Sequence, residues 1–150
     1  KRLDLPETRE NIVGMSQAVR GAFGEDILAK AMAHDAATAD RTLVVIEGIR
    51  RPADIKYLKE LPNFVLVSID AAMRTRHERL VKRNENPDDT TKTWEQFVAD
   101  HERPTETTIA PVMAEAREKI DNNGTTDDLE RQLDTLVHTY MDARAGTYGN

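Results

Sequence analysis

The sequence contains no cysteine, which excludes disulfides, thiolate metal sites, zinc ribbons and thiol nucleophiles together. Aromatic residues are scarce, with one Trp, three Tyr and three Phe in 150 residues. That leaves too few beside the basic segments for the stacking platforms of single-stranded nucleic-acid binders. No uninterrupted apolar run approaches the length that crosses a bilayer; Leu43–Ile46 is representative. Neither a signal-peptide core nor a lipidation motif is visible, so the expected location is the cytoplasm, with no membrane partner. The seven glycines never compose G-x-x-x-x-G-K-[ST] or G-x-G-x-x-G, and there is no nucleophile elbow or EF-hand loop. His34, His77, His101 and His138 are dispersed without metal-ligand spacing. His77 reads as a satisfied core residue.

What is present is a balanced soluble composition, 39% hydrophobic and 32% charged, which predicts one globular domain over residues 1–150. Twenty-one basic against 27 acidic residues give a net charge of −6. That disfavours duplex-DNA or anionic-membrane binding by the whole surface and makes nucleic acid an unexpected partner, while a local basic cleft remains compatible. The chain opens on Lys1-Arg2-Leu3 rather than Met, which predicts a processed product or the later part of a longer one.

Ile12, Met15, Val19 and Phe23 fall at helical spacing after Thr8, predicting a helix over residues 8–23 with Gly24 as its stop. A second helix is expected from Glu25-Asp26 to about Ala37. Leu43–Ile46, apolar without alternation, predicts a strand covered on both faces. A helix is expected from Ala53 to Glu60 behind Pro52, then a strand over Phe64–Ile69, and then a helix with Met73, His77, Leu80 and Val81 inward. Residues 84–91 read as loop, and 84–108 as a lid-like insertion carrying a short helix at Trp94, Phe97 and Val98. A helix starts at Pro111, a short strand is expected at Lys119–Asp121, and a last helix follows a cap at Thr125 or Thr126 and ends in a tail from Ala143. Strands separated by helices predict an α/β fold with a parallel sheet.

Four constellations carry possible chemistry. Glu47-Gly48-Ile49-Arg50-Arg51 follows the first expected strand, where open α/β sheets bind ligands; the alternative is an ordinary Glu47–Arg50 surface pair. Arg76, Arg79 and Arg83 line one helix face and suit a polyphosphate, or form a solvated basic face beside Glu78 and Glu85. Asp88 to Arg103, with Trp94 and Phe97, suits either a lid or a surface helix between loops. Arg9 and Arg20 lie on the opening helix, where surface exposure is the simpler reading.

Taken in order from about Leu5 to Val137, these pieces resemble the P-loop nucleotide kinases. The resemblance is to the branch of dephospho-CoA-kinase-like and deoxynucleoside-monophosphate-kinase-like proteins, which is related to adenylate kinase. The resemblance implies a three-layer parallel sheet of P-loop kinase type and an ATP-dependent, Mg2+-assisted phosphotransferase acting on a nucleotide or dephospho-CoA-like acceptor. By the same resemblance Glu47 would organise the magnesium shell, and Arg50, with Arg9, Arg20 and Gly48, would serve the acceptor. Arg79 and Arg83 would lie at the lid base near the donor triphosphate, with Arg103 closing from its far side. Asn122 and Gly124 would lie near the adenine.

The departure from that family is the phosphate-binding loop with its strand and helix, which this sequence does not contain. The expectation is a gap in the sheet filled by a missing N-terminal segment, by direct strand pairing or by a partner chain, and little or no phosphotransfer by these 150 residues alone. The competing expectation is a degenerate kinase-like module that serves as a structural or binding partner without catalysis.

Overall fold

The computed structural model describes residues 6, 8–83, 89–102 and 107–145. They divide into two units, Lys1–Phe64 with Thr108–Val112, and Val65–Thr107 with Met113–Asn150.

In the first unit, helix α1 (Arg9–Phe23) is capped by Thr8, whose hydroxyl accepts the Asn11 N–H at 3.2 Å, and it ends at Gly24 with φ +99°. Both ends follow the sequence signals. Helix α2 (Ile27–Thr38) buries Ala29 and Ala33. Instead of one helix over 53–60 there is a four-residue α3 (Pro52–Ile55) and a separate 3-10 turn, Leu58–Glu60. That break lets Ile55 and Leu58, both fully buried, meet α2 in a small core. The start of helix α6 (Ile109–Ala114) contributes buried Val112.

One expectation fails here. Leu43–Ile46 forms no strand, and Leu43, Val44 and Val45 stay exposed at 53%, 42% and 79%. Strand geometry requires a hydrogen-bonding neighbour, and the described residues supply none at this run. The apolar residues whose spacing marks α1 are largely uncovered, with Ile12 61% and Phe23 70% exposed.

The second unit holds the sheet. Strands β1 (Val67–Asp70) and β2 (Glu118–Asp121) pair in parallel, Val67 opposite Glu118 and Asp70 opposite Asp121. The parallel sense matches the sequence expectation, since helices separate the two. Burial alternates along the pair. Ser68 is buried on one face of β1, and on the other face Ile69 is 51% exposed although its register partner Ile120 on β2 is buried.

Helix α4 (Met73–Arg83) and helix α5 (Trp94–His101) also lie in this unit, followed by α7 (Thr126–Ala145), which extends beyond the expected start of a tail. Thr93 and Gln96 form a reciprocal capping box at the start of α5. Phe97 (5% exposed) and Trp94 pack on His77 of α4 with ring centroids 5.2 and 5.7 Å away. A ring nitrogen of His77 meets the Lys92 carbonyl at 2.8 Å, so this histidine is a satisfied packing residue, as its position on the helix stripe implies. Along the outer edge of β2, Gln132 of α7 imitates a neighbouring strand. Its amide nitrogen donates to the Asp121 carbonyl at 2.8 Å and its oxygen accepts the Asp121 N–H at 3.1 Å.

Candidate functional site

Each unit carries one polar constellation built from residues that the sequence singles out. In the second unit it sits at the carboxyl ends of β1 and β2, the side from which open parallel sheets take ligands. Asn122 continues the ladder, its N–H donating to the Asp70 carbonyl at 2.7 Å. Asn123 folds back with its side-chain oxygen accepting the Ala72 N–H at 2.8 Å, which satisfies a backbone donor just before α4. The Arg79 guanidinium then closes the loop from α4. It donates to the Asn122 carbonyl at 2.6 Å, to the Asn122 side-chain oxygen at 3.0 Å and to the Gly124 carbonyl at 2.7 Å.

Three residues named from the sequence, Arg79, Asn122 and Gly124, are therefore brought together, but in a different relation from the one implied. Arg79 is spent on carbonyl oxygens of the 122–124 loop. Arg76, three residues earlier and exposed, meets a ring nitrogen of His101 at 3.1 Å, and Arg74 stacks on Trp94 with 4.4 Å to the ring centroid. Arg83 is exposed at the end of α4. Arg74, Arg76 and Arg79 of α4 thus each meet a partner on α5 or the 122–124 loop, although Arg74, Arg76 and Arg83 remain exposed. Arg103 lies outside the described residues, as does the side chain of Arg9.

The next turn is fixed by its own cap. The Asp128 carboxylate accepts the Thr125 N–H at 2.9 Å and hydroxyl at 2.7 Å, while the Thr125 hydroxyl accepts the Asp128 N–H at 3.2 Å. These hydrogen bonds, led by that from the Thr125 side chain, hold the Asp128 carboxyl below its ordinary value.

In the first unit the constellation is the segment from Glu47 to Asp54. Glu47 is exposed. Gly48 has φ +77°, a left-handed conformation that L side chains rarely adopt, and a Cβ there would meet no atom within 4 Å. The glycine is therefore required by the backbone, with open space beside it. Asp54, buried and only 8% exposed, accepts the N–H groups of Arg51 at 3.1 Å and Arg50 at 3.3 Å and the Arg51 guanidinium at 2.8 Å. Arg20 is half-buried on α1 and donates to the Ser16 hydroxyl and the Glu25 carbonyl, both at 3.1 Å. Tyr57 donates to Asp26, which also pairs with Lys30 at 3.2 Å and Lys56 at 3.9 Å.

Asp54 and Gln132 are the organising residues that reading the sequence did not find. Asp54 was accessible in principle, because an acidic residue three positions after a helix N-cap and behind a first-turn proline is a capping signal. Gln132 carries no such mark, since a helical glutamine is ordinary on any exposed face. An open cleft of about 480 Å³ between β2 and α7 is lined by Lys119, Asp128, Arg131 and Gln132 among others, and none of the sequence-named site residues borders it.

Metal chemistry is constrained by the same geometry. Among the described residues no three His, Cys, Asp or Glu side chains gather into a cage. Glu47 offers a single carboxylate, which suits Mg2+ already held by phosphate oxygens and water rather than a protein-only site.

No protein-family model matches the sequence. It is similar to a UPF0200 protein of Hyperthermus butylicus, 31% identical over 97 residues that make up 65% of this chain and 51% of that protein. A UPF0200 protein of Methanocaldococcus jannaschii is 29% identical over 143 residues, 94% of this chain and 72% of that one. For a UPF0200 protein of Methanoregula boonei the figures are 25% over 140 residues, 93% and 76%. The chain thus spans about half the length of the first of these curated relatives and about three quarters of the other two. Its relatives in sequence are archaeal UPF0200 proteins, a name that specifies no activity.

Proposed function

We propose that this chain is the acceptor-side and lid-side part of a P-loop-type nucleotide kinase. Such an enzyme transfers the terminal phosphoryl group of ATP to a nucleotide or a dephospho-CoA-like nucleotide conjugate. The observation that carries this reading is the Arg79 clamp, which pins the 122–124 loop at the carboxyl ends of two parallel strands. A loop fixed with its backbone groups beside a strand end suits the recognition of a purine edge, the role that the resemblance gives to Asn122 and Gly124. In the other unit, exposed Glu47 and Arg50 on a glycine-hinged loop suit a magnesium-bound polyphosphate and an acceptor phosphate respectively.

In this reading Arg50 binds and orients the acceptor, and Arg79 acts through the loop rather than on phosphate. Arg83 contributes positive charge at the lid base. Bound Mg2+ would neutralise charge on the donor oxygens, with Glu47 as its protein contact. The cradle of backbone amides and lysine for the donor phosphates would come from residues outside these 150. The length of the relatives beyond the matched part leaves room for such a segment. The protein would be cytoplasmic; no described helix is long and apolar enough to cross a membrane.

A second reading, a kinase-like module kept as a structural partner, draws on the exposed apolar run Leu43–Val45. Titration of the full-length protein with Mg-ATP, followed by transfer assays over nucleoside monophosphates and dephospho-CoA, separates the two. Magnesium-dependent binding and turnover on one acceptor are expected. A folded full-length protein with no affinity for ATP would establish the structural role instead.

A further inference from the structure

Asn123 and Gly124 are consecutive and exposed in the 122–124 loop, and the fold needs each for a separate reason. The Asn123 carboxamide is engaged at both of its polar atoms. Its oxygen accepts the Ala72 N–H at 2.8 Å, which fixes the way the amide faces, and its nitrogen donates to the Asp121 carboxylate. The same carboxylate oxygen accepts the Asn123 N–H at 2.9 Å. Gly124 passes so near the cap of α7 that a Cβ would stand 2.7 Å from Oδ2 of Asp128. The loop thus calls for an asparagine followed by a residue without a side chain. That order is chemically labile. No side chain shields the Gly124 nitrogen, and among the described residues no group accepts from its N–H.

We propose that Asn123 is a site of spontaneous deamidation that the Arg79 clamp holds in check, independently of any phosphotransfer. The Gly124 nitrogen forms a bond to Cγ of Asn123, the Cγ–Nδ2 bond breaks, and the side-chain nitrogen leaves as ammonia with the proton that Gly124 gives up. Water then opens the resulting succinimide at either carbonyl, giving aspartate or isoaspartate at 123, and nothing is oxidised or reduced. Ring closure must swing the 123–124 peptide against the side-chain carbon. Arg79 resists from both sides, holding the Asn122 carbonyl at 2.6 Å and the Gly124 carbonyl at 2.7 Å, while Ala72 and Asp121 hold the carboxamide. Either product loosens the clamp. Aspartate turns a carboxylate oxygen toward Asp121 where a donor stood, and isoaspartate adds a backbone carbon between the two carbonyls that Arg79 grips.

The test ages the full-length protein in mildly alkaline buffer and follows residue 123 by peptide mass spectrometry, which reads the amide-to-acid mass gain and separates the two products. Folded wild type, Arg79→Ala and Arg79→Lys are compared with wild type unfolded in urea. Phe97→Leu, a core change elsewhere in the same unit, controls for a general loss of stability, and circular dichroism checks that each variant is folded. The unfolded chain is expected to convert residue 123 faster than its other asparagines, and folded wild type about tenfold more slowly than the unfolded chain. Arg79→Ala is expected within about threefold of the unfolded rate, Arg79→Lys between it and wild type, and Phe97→Leu within about twofold of wild type. Isolated isoaspartyl protein is expected to exchange the Asn122 N–H, which donates to the Asp70 carbonyl, faster than unmodified protein does.

An unfolded chain that converts residue 123 no faster than its other asparagines would overturn the site itself. Equal rates in folded wild type and Arg79→Ala would overturn the role of the clamp, and Arg79→Lys decides the same point if Arg79→Ala does not fold. A Phe97→Leu rate as high as that of Arg79→Ala would assign the protection to overall stability and equally overturn that role. Unchanged exchange in the isoaspartyl protein would refute the loosening of the loop.

Discussion

Arg79 and Asn122, 43 residues apart in sequence, are joined twice, through the backbone carbonyl at 2.6 Å and the side-chain oxygen at 3.0 Å. With the third bond to the Gly124 carbonyl, the fork of one guanidinium satisfies acceptors on two residues of a loop that has no regular structure of its own. Removing it in Arg79→Ala is expected to lower unfolding stability by about 1 to 3 kcal/mol, the range for charge-assisted hydrogen bonds. Arg79→Lys should recover only part of the loss, because an ammonium cannot reproduce the planar fork. Urea unfolding of both variants decides the matter. A wild-type midpoint for Arg79→Ala would show that the loop holds itself.

Gly124→Ala tests the next link. A Cβ at this position would stand 2.7 Å from Oδ2 of Asp128, and that oxygen is not at liberty to move, because it caps α7 by accepting from Thr125. The substitution should therefore displace the cap and cost about 0.5 to 2 kcal/mol. Asp128→Ala loses the same cap by another route, so the double variant is expected to be less destabilised than the sum of the two single ones. Strict additivity would separate the glycine from the cap.

How much of this was readable beforehand depended on the range of each signal. Helix ends were legible at Thr8, Gly24 and Pro52 because capping chemistry is local. The parallel sense of Val67–Asp70 and Glu118–Asp121 followed from the helices between them, whereas that these two segments are neighbours did not. Leu43–Ile46 misled because an apolar β-branched run states what a segment could do beside a partner, not whether a partner is present. The Arg76, Arg79 and Arg83 stripe was visible as a stripe. That Arg79 reaches the 122–124 loop depends on where β2 delivers Asn122, which no spacing along α4 encodes. The Glu47 to Arg50 segment was found from its residue types, whereas the carboxylate that fixes it, Asp54, lay four residues beyond and passed as an ordinary helix residue.

The core of the first unit gives a sharper contrast than its sequence pattern. Leu58 and Phe23 both fall on predicted apolar stripes, but Leu58 is fully buried and Phe23 is 70% exposed. Leu58→Ala is expected to cost about 2 to 5 kcal/mol, as transfer and cavity terms add. Phe23→Ala should stay within about 0.5 kcal/mol. Denaturant titration of the two variants in the same protein checks this. A large effect of Phe23→Ala would mean that its face of α1 is covered in solution.

The Tyr57–Asp26 bond makes a prediction about pH. The Tyr57 hydroxyl first, and then Lys30, hold the Asp26 carboxyl below its ordinary value of 3.8. A carboxylate whose value is lower folded than unfolded binds protons more readily when unfolded. Its contribution is therefore complete above the unfolded value and is lost as the pH falls through the folded one. Lys30, raised above 10.5 chiefly by Asp26, has the opposite sense: its contribution is complete below that value and fades only as the pH rises past the folded one. Between these limits the cluster should be insensitive to pH. Tyr57→Phe removes the largest cause of the Asp26 shift, so it is expected to be less stable than wild type at neutral pH, with the gap narrowing below about pH 4 as Asp26 takes up its proton. Urea midpoints of both proteins between about pH 7 and pH 3 measure the gap. A gap that stays constant across that range would mean that the Tyr57 hydroxyl contributes equally to charged and neutral Asp26, and that the lowered carboxyl owes nothing to it.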